Sequence, residues 1–112
     1  MFLGKCAGSS EAEMAAAANR LIELQGGYVI VSGGKSIFEF PMPIFGYIPE
    51  MNMEEIRAKT KELDVRMAEI GSVIPRPFLA LQTIPFTGLP FLRITDKGLA
   101  DIKSKKLVPL FL

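Results

Sequence analysis

Two adjacent glycines, Gly33 and Gly34, lie between two runs rich in strand-forming residues, YVIVS at 28–32 and KSIFEF at 35–40. No other local feature restricts the fold as tightly. Two-residue hairpin loops need positive φ, which glycine adopts at no steric cost, so the pattern predicts a β-hairpin. Regular pairing about the loop sets Val29 against Phe38 and Val31 against Ser36, and Phe40 continues that face toward the core. The other face then carries Tyr28, Ile30, Ile37 and Glu39. It is too apolar to stand in water, which predicts a second layer or a partner surface over it.

Helical signals flank the hairpin. Ser10 and Glu13 have capping-box spacing, followed by Met14, Ala17, Ala18, Leu21 and Ile22 at helical intervals, and Gly26-Gly27 stops the run. Asn52 with Glu55 makes a second cap. Ile56, Leu63, Met67 and Ile70 form the stripe of that helix, Glu55–Lys59 and Glu62–Arg66 are i,i+4 pairs, and Gly71 ends it. Between the two helices, Pro41, Pro43 and Pro49 enforce an extended loop. Further on, Pro75, Pro77, Pro85 and Pro90 partition the chain. Pro77 suits the first position of a short helix reaching Ile84, although the same run also permits a strand. A strand over 91–95, a turn at Thr95-Asp96-Lys97-Gly98 and a last strand over 107–111 complete the reading. The expected fold is α+β: a two-layer sandwich with a mainly antiparallel sheet, a β-hairpin and two main helices, in one domain spanning 1–112.

The chain has 112 residues, which suffices for one hydrophobic core. Thirteen basic and twelve acidic residues give a net charge of +1, without the basic excess of a nucleic-acid binder. The opening Met1-Phe2-Leu3 is too short for a signal sequence, and the first six residues read as the remnant of something longer. No apolar stretch nears the roughly 18 residues of a membrane helix. With a single cysteine, Cys6, no internal disulfide can form. A soluble, cytoplasmic protein is the expectation. Histidine is absent altogether. Zinc, manganese and iron hydrolase sites draw on imidazole, as do Ser-His-Asp and Cys-His catalysis, so none of these chemistries can be assembled from this chain alone.

Several motifs have simpler explanations than catalysis. Ser32-Gly33-Gly34-Lys35-Ser36 ends like a phosphate-binding P-loop, but Val29 stands where the first glycine belongs, and a strand rather than a helix follows. Cys6 has no histidine partner and reads as an inert thiol. Lys103, Lys105 and Lys106 fit a solvated polar turn better than a phosphate site. Glu54, Glu55 and Glu62 are accounted for by capping and salt pairing. The loop containing Ile44, Phe45, Tyr47, Ile48 and Met51 is harder to place: it either folds onto its own core or packs on another domain or subunit. With the apolar hairpin face it defines a candidate interface of Tyr28, Ile30, Ile37, Ile44, Phe45, Tyr47 and Ile48. No catalytic, cofactor-binding or metal residue is expected.

The order of motifs resembles the C-terminal domain of bacterial and archaeal adenine deaminases. The resemblance rests on AANRLIELQGGYVIV at 17–31 and on FPMPIFG at 40–46, which is similar to that family's Leu-Pro-Leu-Pro-Ile-Ala-Gly segment. It continues with Pro77-Phe78 before an apolar run and with LRITDKGL at 92–99. Phe40 and Phe45 depart from the smaller residues typical of those places. The resemblance implies amidohydrolases whose metal-bearing (β/α)₈ barrel, with manganese or iron, converts adenine and water to hypoxanthine and ammonia. It also implies that any such barrel lies outside this chain, which lacks the family's His-Asp-Ser-His-Asn-like segment too. Two functions follow as expectations. One is an accessory domain bracing a catalytic barrel or an oligomer, with self-association as a homodimer. The other is a stand-alone interaction or small-ligand module that kept the fold and lost the enzyme. Neither involves nucleic acid or membrane.

Overall fold

A computed structural model describes residues 8–84, 86 and 88–111. Cys6 and Pro85 lie outside the described residues. The chain is α+β, with three helices and two antiparallel sheets: α1 Glu11–Glu23, β1 Gly27–Ser32, β2 Lys35–Pro41, α2 Met53–Glu69, α3 Pro77–Thr83, β3 Leu92–Thr95, β4 Gly98–Asp101 and β5 Lys106–Val108. It divides into two compact units, the first running to Phe78 and the second starting at Leu79.

In the first unit β1 and β2 form a two-stranded hairpin. Gly33 and Gly34 have φ of 61° and 73°, the positive pair that the Gly-Gly turn predicts. Val31 pairs with Ser36 as expected, but the next register differs. Ile30, not Val29, faces Phe38, and Tyr28 faces Phe40, because the ladder shifts between Ile30 and Val31. The shift leaves Ile37 as an extra residue in β2, a β-bulge. Its consequence is physical: Tyr28 and Ile30 move to the face of Phe38 and Phe40, and the mixed face expected of a regular ladder is replaced by a wholly apolar one. Phe38 and Phe40 are buried. Tyr28, Phe40 and the Phe78 ring of α3 form a cluster with centroids 5.7–6.3 Å apart. Lys59 of α2 stands over the Phe38 ring at 5.2 Å.

Glu39 alternates to the opposite face. There Arg20 of α1 holds its carboxylate through two parallel bonds, Nε to Oε1 at 2.7 Å and Nη2 to Oε2 at 3.0 Å. The hairpin is thus gripped by α1 through one face and by α2 and the start of α3 through the other. Its core is Leu21, Phe38, Phe40, Met42 and Leu63.

The caps follow the sequence in part. Asn52 and Glu55 make the full capping box of α2. At α1 only half forms: the Ser10 hydroxyl accepts from the Glu13 amide, while the Glu13 carboxylate accepts from the Gly34 amide at 3.3 Å. A carboxylate that can tie down the hairpin turn joins distant parts of the chain, so it leaves the local box. The end of α1 also departs from expectation. Gln25, not a glycine, takes the left-handed position at φ 62°, with Gly26 N–H reaching Leu21 O and Gln25 N–H reaching Ile22 O. Gly26 and Gly27 serve close approach instead. A Cβ on Gly27 would stand 2.0 Å from the Phe40 carbonyl oxygen, and one on Gly26 2.5 Å from Gly46 Cα. On α2 the ion pairs are Lys59–Glu62 and Arg66–Glu69, i,i+3 rather than the expected i,i+4, because the Glu55 carboxylate is taken by the cap.

The second unit is a meander of order β3-β4-β5. Its first strand and the Thr95–Gly98 turn are those of the sequence reading. The middle strand, GLAD, is not foreseen: it is short and lacks alternation, and its pairing with neighbours on both sides defines it. The last strand stops at Val108 instead of reaching residue 111, because Pro109 has no N–H to give to a ladder. Helix α3 spans the boundary between the units, with Pro77 at its first position. Among the described residues no helix is long and apolar enough to cross a membrane.

Candidate interaction surface

The loop after β2 is mounted on the core. Met42 is buried, and its amide donates to the Gly26 carbonyl at 3.2 Å. Beyond it the chain makes a tight turn closed by a bridge between Ile44 and Ile48. Tyr47 N–H donates to Ile44 O at 3.1 Å, and Phe45 and Gly46, the two central residues, both have positive φ, 54° and 77°. Two consecutive positive φ values mark the type I′ family, whose usual residues are Asn, Asp and Gly.

Of the expected interface residues, the structure brings Ile44, Phe45 and Ile48 to the surface of this turn, with Phe45 82% exposed. Tyr47 is half-buried beside them. Tyr28, Ile30 and Ile37 are half-buried in the hairpin, the first two on the core face. The seven therefore do not form one patch: the 44–48 turn is a surface feature, and Tyr28 belongs to the aromatic cluster. Burial, with Tyr47 adding to it, pushes the Tyr28 hydroxyl up to about 12.

Sequence reasoning did not anticipate a recess on the flank of α2. It is a shallow groove of about 250 Å³ lined by Met51, Glu55, Ala58, Lys59 and Glu62. Its signal in the sequence is Ala58, the one small side chain among these lining residues.

Several charged groups serve local structure. Hydrogen bonding to Arg20 holds the Glu39 carboxyl below its usual range, against a weaker opposing effect of burial, and the same bonds raise the Arg20 guanidinium. Asp101 is lowered first by Ser104, and it accepts the Lys103 and Ser104 amides at 3.0 and 3.3 Å. That bonding orders the turn bearing Lys103 and Lys105, and the Lys103 ammonium lies 5.4 Å from the Phe91 ring centre. Glu54 sits in the first turn of α2, while Glu55 and Glu62 make the cap and ion pair already described. Among the described residues, no three carboxylate or thiol groups are placed to hold a metal ion.

Comparison with known proteins places this arrangement. Residues 5–106 match the family model described as the adenine deaminase C-terminal domain. An adenine deaminase of Methylobacterium sp. (strain 4-46) is 38% identical over 102 residues, 91% of this chain and 18% of the relative. One of Brucella anthropi is 43% identical over 95 residues, 85% of this chain and 17% of the relative. One of Kosmotoga olearia is 35% identical over 105 residues, 94% of this chain and 18% of the relative. The chain thus spans less than a fifth of the length of the curated relatives it matches. No solved structure matches it.

Proposed function

This chain belongs to the adenine deaminase C-terminal domain family, and we propose that it is the accessory, non-catalytic part of an adenine deaminase-like hydrolase. In this reading a separate amidohydrolase barrel carries out the conversion of adenine and water to hypoxanthine and ammonia. The chain's own residues do not fit the manganese or iron that such a barrel uses. There is no histidine, and the described carboxylates are engaged in caps, ion pairs and turns or stand apart. No chemical step is assigned to them. The role left to the chain is to brace the barrel.

The observation that carries this reading is the state of the second unit. None of its described residues is buried, and Phe91, Leu107, Leu110 and Phe111 are all more than half exposed. A three-stranded meander needs a covered hydrophobic face to be stable. Residues this apolar favour a partner surface, and the relatives carry more than four-fifths of their length outside the matched segment.

The test combines this chain with the Brucella anthropi relative shortened by its matched C-terminal segment and loaded with manganese. The chain alone should release no ammonia from adenine above a blank with manganese, iron or zinc. Added to the shortened relative, it should co-sediment with it and raise its half-life at elevated temperature. Chelator-sensitive turnover by the chain alone refutes the non-catalytic role, and absence of both binding and protection refutes the bracing role.

A further inference from the structure

We propose that the outer edge of β1 takes an added β-strand, an extended apolar segment of the deaminase lying outside this chain. The inference rests on the reading of the chain as part of a larger hydrolase, and it names where that larger protein joins the hairpin.

Backbone groups decide the matter first. Among the described residues, β1 and β2 pair only with each other. An antiparallel ladder bonds alternate residues of each strand, and both ends of β1 fix which ones. At one end the Met42 N–H donates to the Gly26 carbonyl at 3.2 Å. At the other, Ser32 and Lys35 face each other across the two-residue turn, whose closing bond runs from the fourth turn residue to the first. Gly26, Tyr28, Ile30 and Ser32 therefore turn their backbone groups toward β2. Gly27, Val29 and Val31 turn theirs outward. On the opposite edge the same register turns Ser36 and Glu39 outward.

The faces of the hairpin are already covered. Arg20 of α1 grips one, and Lys59 of α2 and Phe78 lie over the other. Growth of this sheet is thus open only at its edges, and the edges are not alike. The β2 edge carries Lys35 and Glu39, an extra residue at Ile37 and a closing Pro41. Charges, bulges and proline are the devices by which an edge strand resists further pairing. The β1 strand, GYVIVS, has no charge, no proline and no bulge. An unblunted edge of this kind is a template for strand addition.

The groups on offer also set the chemistry of the occupant. A row of outward N–H and C=O groups at strand spacing is matched in register by another extended backbone. Tyr28, Val29, Ile30 and Val31 are apolar on both faces of β1 and half-buried between the helices. A strand laid beside them enters the same two-sided layer, so it is a near-continuous apolar run rather than an alternating one. The relatives carry more than four-fifths of their length outside the matched segment, which supplies chain for such a strand. A hairpin of two strands is marginal by itself, and a third strand strengthens it.

The experiment uses the full chain with the Brucella anthropi relative shortened by its matched C-terminal segment, and it reads amide hydrogen exchange residue by residue. In the chain alone, the Tyr28 and Ile30 amides, bonded to β2, should exchange slowly, and those of Val29 and Val31 quickly. With the shortened relative in excess, exchange at Val29 and Val31 should slow by about tenfold or more, while Ser36 and Glu39 keep their rates. Val31→Pro removes one outward N–H and no bond of the hairpin, and it should weaken co-sedimentation with the shortened relative by about tenfold. Exchange in the parent chain gives the answer even where this variant folds poorly. Co-sedimentation without slowing at Val29 and Val31 overturns the proposal and leaves the bracing role standing. Slowing at Ser36 and Glu39 instead puts the strand on the other edge and overturns it too. So does slowing at Val29 and Val31 that appears in the chain alone as its concentration rises, which makes a second copy the occupant. Absence of both co-sedimentation and thermal protection refutes the bracing role, and the proposal falls with it.

Discussion

Among the described residues the first unit buries a core and the second does not, although both are built on antiparallel strands joined by tight turns. In the first, two helices close on opposite faces of a hairpin, and the contacts that hold them join residues far apart in the chain: Arg20 with Glu39, Glu13 with Gly34, Phe78 with Tyr28 and Phe40. Among the described residues of the second, side-chain hydrogen bonds join residues close in the chain, Arg93 to Leu89, Thr95 to Gly98 and those within the 101–104 turn. Strand pairing fixes backbone geometry in both. Only where amphipathic helices cover the sheet does the pairing bring with it the burial that stabilises a fold. Substitutions should therefore cost stability according to the unit in which they fall.

The largest effect is expected at Gly27. A methyl group there meets the Phe40 carbonyl at 2.0 Å, and φ is +114°. Clash with backbone cannot be relieved by a rotamer change, so Gly27→Ala should destabilise the first unit by at least about 3 kcal/mol. Denaturant unfolding measures it. A loss below 1 kcal/mol would show that β1 and β2 can separate at this point without consequence.

Next comes the contrast of one leucine in each unit. Leu63 is fully buried on α2, and Leu107 is 59% exposed on β5. Leu63→Ala should cost about 2–5 kcal/mol through lost transfer energy and a residual cavity. Leu107→Ala in the chain alone should change stability by no more than about 0.5 kcal/mol. With the shortened relative present, Leu107→Ala should acquire a cost in binding. Equal losses for the two leucines in the free chain would erase the distinction between the units.

How much of this was legible in the sequence follows the same division. The hairpin turn, both caps of α2 and the first helix are written in local chemistry, and local chemistry is what a sequence displays; the run after Pro77 permitted helix or strand, and the structure makes it a helix. The bulge at Ile37 is not, because only the gain from placing Tyr28 and Ile30 beside Phe38 and Phe40 selects it. Glu13 looks like half of a capping box until the hairpin turn lies within its reach. The strand GLAD has no pattern of its own. At the candidate surface, the apolar character of residues 44–48 was evident. That Phe45 points outward while Tyr28 points into the core was not, since both are aromatic residues beside glycines and the difference is one of tertiary position.

The hairpin turn itself gives a middle-sized effect. Gly33 and Gly34 have open space around the position of a Cβ, so only their φ values resist substitution. Replacing both with valine should cost about 1–3 kcal/mol, from forcing β-branched residues into positive φ. An unchanged melting temperature would contradict the turn geometry. The outcome also isolates strain, with no clash, from the combined penalty at Gly27.

The smallest effect concerns the ion pair that fastens α1 to the hairpin. Arg20 keeps the Glu39 carboxyl below its usual pKa in the folded chain. An unfolded chain therefore takes up the proton at a higher pH than the folded one does. The stability this pair supplies is full above the ordinary glutamate value near 4.5 and is lost as pH falls below it toward the lowered folded value. Both partners are partly exposed, at 41% and 29% of their side chains, so solvent and salt screen the attraction and the change is small. Glu39→Gln keeps the shape and removes the titration. The parent should lose more melting temperature than this variant between pH 5 and pH 3, and the gap should narrow in high salt. Parallel pH profiles for the two would mean that α1 is held to the hairpin by its packing on β1 and by the Glu13–Gly34 bond, without help from Glu39. The Glu39 carboxylate would then be a passenger on the face it shares with Val29.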